Sequence, residues 1–187
     1  MESTFEQYEA FRQAIEALEQ SGIPYAVTGS WVLSAYGVLR ATHDLDVVIA
    51  VAGGEAEKIV AVFPTPRYYA DAIAIAEAIV RQSFFNVIDM ETTLKIDFWP
   101  LKDDNYSQEQ FRRRQRKPLA DKLVWILTPE DIILAKLLWI KISDSERQWR
   151  DVESVWKIKR PELDLNYLRM WAARLSISDL LIRVTET

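Results

Sequence analysis

The chain has 187 residues, no cysteine, a single histidine (His43) and a formal net charge of −5 at pH 7. These numbers exclude disulfide bonds, thiolate metal sites and zinc sites that need several imidazoles. A bound metal would therefore be a hard ion held by oxygen ligands, which means Mg²⁺ or Mn²⁺. The acidic balance also argues against a surface built to coat nucleic acid.

Length and the N-terminal segment narrow the class of protein further. The chain is long enough for one domain with a substantial core, or for a core with a small appendage. No apolar run approaches the roughly 18 residues that a membrane-spanning helix needs. Because the N-terminal segment MESTFEQYEA is acidic and lacks the layout of a signal peptide, we expect a cytoplasmic protein without a membrane partner.

Apolar residues at helical or alternating spacing divide the chain up to residue 127 into helices and strands. Glycine and proline mark several boundaries, as at Gly22, Gly37 and Pro64, and Pro100 is expected to end a strand. The predicted helices cover residues 5–19, 31–38, 55–63 and 71–82. The predicted strands cover residues 25–28, 45–51, 84–88, 93–98 and 122–127, and the third and fourth of them form an antiparallel hairpin.

The rest of the chain is predicted to be helical. Thr128 is an N-cap, Pro129 suits the first helical position, and two acids follow in the first turn. The predicted helices run from there to about residue 141 and then cover residues 146–157, 164–175 and 178–183. We expect an α/β (α+β) fold, a mixed β-sheet flanked by helices. In this single compact unit, residues 1–127 form a core and residues 128–187 a helical C-terminal subdomain packed on it.

Three aspartates are the candidates for chemistry. Asp44 and Asp46 are two residues apart at the start of a predicted strand, so their side chains leave on the same face. Two carboxylates so near to each other repel unless a cation lies between them, and Mg²⁺ is the cation that carboxylates commonly bind. Asp97 lies between apolar neighbours on a hairpin strand, where burial is costly without a compensating charge. Three converging acids permit a two-metal arrangement that clamps the attacking and leaving oxygens.

Gly29 and Ser30 lie between a predicted strand and a predicted helix. Glycine lets a phosphate approach the backbone, serine offers a hydroxyl, and a helix N-terminus favours an anion. Alone this pair is weak evidence, since an ordinary helix N-cap looks the same. Combined with the Asp-x-Asp pair and a third, strand-borne acid, it predicts a metal-dependent site for a nucleoside triphosphate.

These residues carry a resemblance to a known family. The segments GSW…RATHDLDVVI and FNVID…LKIDFW resemble the nucleotidyltransferase superfamily related to DNA polymerase beta, and within it the small AbiEii-type toxins. The resemblance extends through TPEDIILAKLLW and RQWRDVESV. It implies that Gly29 and Ser30 hold the β- and γ-phosphates of the triphosphate. It also implies that Asp44 and Asp46 ligate Mg²⁺ or Mn²⁺, with Asp97 as the base or a second-metal ligand.

The resemblance extends to residues outside the core motif. Lys136 and Asp151 match positions that face the active site in AbiEii-type proteins. Lys136 would neutralise triphosphate charge, and Asp151 could orient Lys136 or an arginine such as Arg147. Arg40, four residues before Asp44, would contact phosphate or brace the acids. Plain structural explanations compete with these roles, because Lys136 could snorkel to solvent and Asp151 could pair with Arg147 along one helix.

Three further features have more than one interpretation. The basic run over residues 112–117 could grip triphosphate or RNA, or it could be a solvated helix face that balances acidic surface. His43 fits a structural role better than a catalytic one. The tryptophans of the C-terminal helices fit the core or an interface, although one of them could stack on a nucleobase. They are Trp139, Trp149, Trp156 and Trp171.

The predicted function is transfer of a nucleoside monophosphate from a nucleoside triphosphate to an acceptor hydroxyl, with release of pyrophosphate. The toxin-like resemblance implies a tRNA 3′ end or a protein as the acceptor and an antitoxin protein as a partner. One alternative is a small-molecule acceptor, as in antibiotic-modifying relatives. Another is a non-catalytic module of a toxin–antitoxin pair that binds nucleotide or a partner, although the three intact carboxylates argue against it.

Overall fold

The computed structural model describes residues 2–38, 40, 42, 44–143 and 145–186 of the chain, and His43 lies outside them. The described helices are α1 (Glu2–Ser21), α2 (Gly29–Ala35), α3 (Ala56–Val62), α4 (Ala72–Val80), α5 (Asn105–Arg112), α6 (Pro129–Ser143), α7 (Glu146–Lys159), α8 (Leu165–Arg174) and α9 (Ser178–Thr185). The strands are β1 (Tyr25–Thr28), β2 (Asp44–Ile49), β3 (Tyr68–Tyr69), β4 (Phe85–Asp89), β5 (Lys95–Pro100), β6 (Gln115–Leu119) and β7 (Lys122–Ile126).

The strands form a mixed sheet in the order β3-β4-β5-β2-β1-β7-β6. β2 runs parallel to β5 and β1 runs parallel to β7, whereas the other neighbouring pairs are antiparallel. Leu45, Val47 and Val48 are buried, so both faces of β2 are covered, as is typical of a central strand. The predicted α/β class, the mixed sheet and the hairpin of β4 and β5 are confirmed.

The sheet edges differ from the prediction. The sequence patterns predict neither β3, which has two residues, nor β6, whose residues 115–118 are all exposed. An edge strand with this composition shows no apolar alternation, so the main signal for a strand is missing. β5 ends at Pro100, as expected, but Pro100 belongs to the strand, which extends two residues beyond the predicted bound at 98 and pairs Pro100 with Ile49 of the parallel neighbour.

The basic run over residues 112–117 supports the fold. It spans the end of α5 and the start of β6, three strands away from β2. Arg113 lies 3.8 Å from the centroid of the Tyr167 ring and 3.6 Å from a carboxylate oxygen of Glu130. The other three arginines also bond to or stack on groups of this chain, which are Glu109 for Arg112, Phe111 and Trp125 for Arg114, and Glu19 and the Leu123 carbonyl for Arg116. These contacts give no support to a role of the basic run in binding triphosphate.

A buried polar network around Asp131 fixes the start of α6. Tyr167 and Thr128 each donate a hydroxyl hydrogen bond of 2.7 Å to its carboxylate. Burial raises the pKa of Asp131 to about 6, although these hydrogen bonds oppose the rise. The backbone N–H of Asp164 donates to Glu130 Oε1 at 2.9 Å, which ties the start of α8 to the same turn.

The helices after β7 share the core of the sheet. Buried apolar side chains from the strands and from α6 to α9 form one continuous cluster. The division into residues 1–127 and 128–187 stays a prediction. Among the described helices, none is both long enough and apolar enough to cross a membrane.

Candidate active site

The register of three neighbouring strands brings the predicted acids and the Gly29 turn together. β2 and β5 place Asp46 opposite Asp97, and Asp44 lies two residues earlier on β2. On the other side of β2, Thr28 at the end of β1 lies opposite Asp46. Gly29 therefore begins the next helix directly beside this acid. Asp44 is exposed, whereas Asp97 is only 9% exposed.

Gly29 is required by its contact with Asp46. Its φ is +67°, a backbone conformation that side chains rarely adopt. A Cβ atom built on Gly29 would lie 2.0 Å from Asp46 Oδ2 and 2.7 Å from the carboxyl carbon. The glycine thus admits the carboxylate to this position. Ser30, in the first turn of α2, is half-buried.

Among the described residues, one cation forms ion pairs with these acids. Lys95 Nζ is 3.0 Å from Asp97 Oδ2 and 3.7 Å from Asp44 Oδ1. Within the described part of the chain, the other carboxylate oxygen of Asp97, Oδ1, is buried without a hydrogen-bond partner. Burial and the charge of Asp97 raise the pKa of Asp46 to about 6, whereas hydrogen bonding by Trp99 opposes this rise. The cluster is short of positive charge.

This shortage fits a bound divalent cation. The acids offer only carboxylate oxygens, which are the ligands of hard ions such as Mg²⁺. As the described side chains stand, no three acidic or histidine residues are gathered to hold an ion. The Lys95 ammonium instead lies close to two of the acids. We therefore expect an incoming ion to displace this ammonium.

Replacing Lys95 with methionine tests this expectation without an assay of activity. Because the variant loses partly exposed ion pairs worth about 1 kcal/mol, we expect metal-free K95M to melt about 2–4 °C below the wild type at pH 7.5. Added Mg²⁺ should raise the melting temperature of K95M more than that of the wild type, since no ammonium competes for the carboxylates. Differential scanning calorimetry measures both effects.

The matched control removes a lysine from an exposed ion pair elsewhere. Lys58 Nζ lies 3.7 Å from Glu55 Oε1 in such a pair. K58M should respond to Mg²⁺ as the wild type does. Equal responses of K95M and the wild type would contradict the expected displacement.

Lys136 and Arg40 share the carboxylate of Asp151. Lys136 Nζ lies 2.8 Å from Asp151 Oδ2 and also donates to Gln148 Oε1 at 2.9 Å, and Arg40 donates to the same Oδ2. Lys136 is 6% exposed, so it does not snorkel to solvent. Burial and the charge of Arg40 lower the pKa of Lys136 to about 8, against the opposing charge of Asp46.

This network connects the C-terminal helices to the acids. The sequence left open whether Asp151 holds Lys136 or an arginine such as Arg147, and in the structure it contacts Lys136 and Arg40. Asp151 lies on α7 and Lys136 on α6, whereas Arg40 precedes β2. The charges of both cations interact with that of Asp46. The structure thus brings Arg40, Lys136 and Asp151 within electrostatic reach of the acid cluster.

Sequence reasoning missed Lys95 and Trp99. Lys95 lies two residues before Asp97 and Trp99 two residues after it on β5. Strand alternation places all three side chains on one face of the sheet, and that period of two was the available signal. Lys95 supplies a cation between two acids, and Trp99 lies close enough to Asp46 to oppose the rise in its pKa.

No family model and no curated protein sequence matches this chain. Several solved structures match it. The antibiotic-resistance factor ANT(2'')-Ia in solution is 14% identical over 98% of this chain and 99% of its own, with a TM-score of 0.59. Its crystal structure with adenylyl-2''-tobramycin is 12% identical over 91% and 97%, with a TM-score of 0.57. An antigenic nucleotidyltransferase-like protein from Paracoccidioides brasiliensis is 18% identical over 96% and 93%, with a TM-score of 0.51.

At these identities the likeness concerns the fold, and it extends over nearly the whole chain. It confirms the fold that the sequence resemblance implied. The narrower resemblance to AbiEii-type toxins, the roles of individual residues and the cytoplasmic location stay predictions. The chain therefore has the nucleotidyltransferase fold.

Proposed function

We propose that the chain is a Mg²⁺-dependent nucleotidyltransferase, which transfers a nucleoside monophosphate from a nucleoside triphosphate to an acceptor hydroxyl and releases pyrophosphate. The observation that carries this proposal is the pairing of Asp46 and Asp97 across two parallel strands, with Gly29 against the Asp46 carboxylate. The fold alone does not specify an activity. These carboxylates are the groups that metal-assisted transfer of a phosphoryl group needs, and the fold supports the same conclusion.

Two of the three acids would bind the metal ion, and the third would act on the acceptor hydroxyl. When bound, Mg²⁺ would neutralise phosphate charge and polarise the reacting phosphoryl group. Asp44 and Asp46 would supply carboxylate oxygens to it. Asp97 Oδ1, buried without a hydrogen-bond partner in the described part of the chain, would accept the proton of the acceptor hydroxyl. The acceptor oxygen then bonds to the α-phosphorus, the bond from this phosphorus to the bridging oxygen breaks, and pyrophosphate leaves with the electron pair.

The remaining residues would compensate the negative charge of the triphosphate. Gly29 and Ser30 lie at the start of α2, where backbone N–H groups point away from the helix. Lys136 is enclosed by Asp151 and Gln148, so its contribution would come from its field at the acids and phosphates instead of direct contact. Arg40, held by the same Asp151, would add to that field.

The low pKa of Lys136 makes nucleotide binding depend on pH. Because this pKa is about 8, the ammonium is mostly charged at pH 7 and mostly neutral at pH 9. We expect the Kd of an α,β-methylene nucleoside triphosphate with Mg²⁺ to rise about fivefold over this range, which corresponds to about 1 kcal/mol of lost attraction. Lys136→Arg keeps its charge at pH 9 and should show no such rise by calorimetry. The same pH response in both proteins would refute this role of Lys136.

Labelled substrates test the activity directly. The protein is incubated with Mg²⁺ and each of the four α-labelled nucleoside triphosphates, together with total cellular RNA, total cellular protein or tobramycin. We expect label in one of these pools and release of pyrophosphate, and neither with Asp46→Asn. The proposal fails if no pool takes label and calorimetry detects no binding of any triphosphate.

The same incubation separates the acceptor classes. The resemblance to AbiEii-type toxins favours a tRNA 3′ end or a protein, with an antitoxin as a possible partner. The likeness in fold to ANT(2'')-Ia, solved with adenylyl-2''-tobramycin, favours a small molecule. A non-catalytic module is the weakest alternative, because it would not require Asp46 and Asp97 to be paired at this cost in burial and repulsion.

A further inference from the structure

Three aromatic side chains in contact lie beside the acids, and we call them the aromatic platform: Phe84, Trp99 and Trp139. The ring centroid of Trp99 is 5.1 Å from that of Phe84 and 6.3 Å from that of Trp139. Phe84 is 50% exposed and Trp139 is 49% exposed. Trp149, Trp156 and Trp171 are buried as expected of core residues, so the exposure of Trp139 is not general among the C-terminal tryptophans. Exposed aromatic surface of this kind commonly marks a binding site.

The aromatic platform borders the acid cluster from two elements. Trp99 shares one face of β5 with Asp97 and lies close enough to Asp46 to oppose the rise in the pKa of this acid. Trp139 follows Lys136 by three residues on α6, so both side chains lie on the same side of this helix. The platform is therefore continuous with the site and does not form a separate surface.

The order of the strands separates the proposed phosphate contact from the aromatic platform, because they lie on opposite sides of Asp46. Gly29, which follows β1, lies on one side of β2 and is the proposed phosphate contact. β5 lies on the other side of β2, and Phe84 immediately precedes β4, the next strand. The aromatic platform thus lies on the side of Asp97, which would take the proton of the acceptor.

We infer that the aromatic platform binds the planar base of a nucleoside whose ribose hydroxyl is the acceptor. This inference rests on the proposed function. Bases stack on exposed aromatic rings with little dependence on sequence. A nucleoside joins such a ring to a hydroxyl, so a base on the platform would hold that hydroxyl near Asp97. A saturated acceptor has no planar ring to stack on the three rings of the platform.

The test measures binding of the acceptor to protein whose nucleotide site is already filled. The full chain is saturated with Mg²⁺ and an α,β-methylene nucleoside triphosphate, and tritiated nucleosides are then added in equilibrium dialysis. The four ribonucleosides form one arm, and trinucleotides that end in each of them with a free 3′ hydroxyl form the other. Binding of free nucleosides assigns a small acceptor, and binding of trinucleotides alone assigns an RNA end; either result supports the platform.

Substitutions of Trp139 separate stacking from simple apolar contact. We expect Trp139→Leu to weaken binding about tenfold and Trp139→Phe to stay within about threefold of the wild type, because only the second keeps a ring. Ile182→Ala on α9, at a residue 53% exposed, is the control for loss of exposed apolar surface and should bind as the wild type does. Melting temperatures verify that each variant is folded.

The outcomes distinguish the inference from the proposed function. If the triphosphate analogue itself does not bind, the proposed function fails. If the analogue binds but neither nucleosides nor trinucleotides do, the inference about the platform fails and the proposed function stands. Unchanged binding in Trp139→Leu would also overturn the inference, since an aliphatic side chain would then serve equally well.

Discussion

Asp46→Asn is expected to abolish nucleotidyl transfer and yet to make the metal-free protein more stable at pH 7.5. Transfer should fall by about 10³-fold or more, because Asp46 is a proposed metal ligand and such a ligand contributes several kcal/mol to the stabilisation of the transition state. Stability should rise because burial and the charge of Asp97 raise the pKa of Asp46 from 3.8 to about 6. Asparagine removes a half-buried charge from a cluster of acids in which, among the described residues, Lys95 alone forms ion pairs.

The sign of this effect follows from proton binding. Between pH 4 and 6 the folded protein holds a proton on Asp46 that the unfolded chain has released, so stability falls as pH rises through this window. Above pH 6 the ionised carboxylate costs on the order of 2 kcal/mol. Allowing for partial solvent screening, we expect Asp46→Asn to raise the melting temperature by about 2–4 °C at pH 7.5 and by less at pH 4.5.

Asp44→Asn is the matched control for this prediction. Asp44 is also a proposed metal ligand, but its side chain is 53% exposed. The Asp44→Asn variant should therefore lose transfer activity without a comparable gain in stability. A less stable Asp46→Asn protein at pH 7.5, or one that retains transfer, would contradict the proposed role of this acid.

Gly29→Ala is expected to eliminate transfer by displacing the Asp46 carboxylate. The new methyl group would lie 2.0 Å from Asp46 Oδ2, which is closer than any non-bonded contact allows. The carboxylate must move, and a ligand displaced by an ångström or more costs at least about 10²-fold in rate. Transfer of label and the melting temperature measure the two consequences.

Gly22 provides a closely matched control. Its φ is +69°, against +67° for Gly29, but a Cβ atom there would meet no atom within 4 Å. Gly22→Ala should therefore show only the backbone cost, about 1 kcal/mol, and keep its transfer activity. Adding Asp46→Ala to Gly29→Ala should restore stability to about the level of Gly22→Ala. Equal losses in the two single glycine variants would argue against the steric contact.

Much of the fold was predictable because strong local signals coincide with its central elements. The apolar runs of β2 and β5 and the N-cap at Thr128 each indicate one element and one boundary. The edge strands β3 and β6 were missed because one is very short and the other is polar. Helical spacing also does not show which apolar position a neighbouring element leaves uncovered. The sequence therefore favoured the core or an interface for Trp139 over stacking on a nucleobase.

The site was predictable only where a local pattern marks its residues. Asp44 and Asp46 follow from the period of a strand, and Asp97 from the cost of an acid among apolar neighbours. The pairing of Arg40 with Asp151 joins residues 111 positions apart, and no local pattern encodes it. The contact of Gly29 with Asp46 likewise depends on the antiparallel register of β1 and β2.

Gly29 and Asp46 form a pair whose evolution must be coupled. While the carboxylate is present, position 29 admits no side chain, so the two columns of a homologue alignment should vary together. Once a lineage has replaced the acid with a small residue, only the positive φ still constrains position 29, and asparagine can satisfy it. We therefore expect relatives with a non-glycine residue at position 29 to lack the acid at position 46. Such relatives would keep the fold but would have lost the catalytic acid and, with it, the transfer activity.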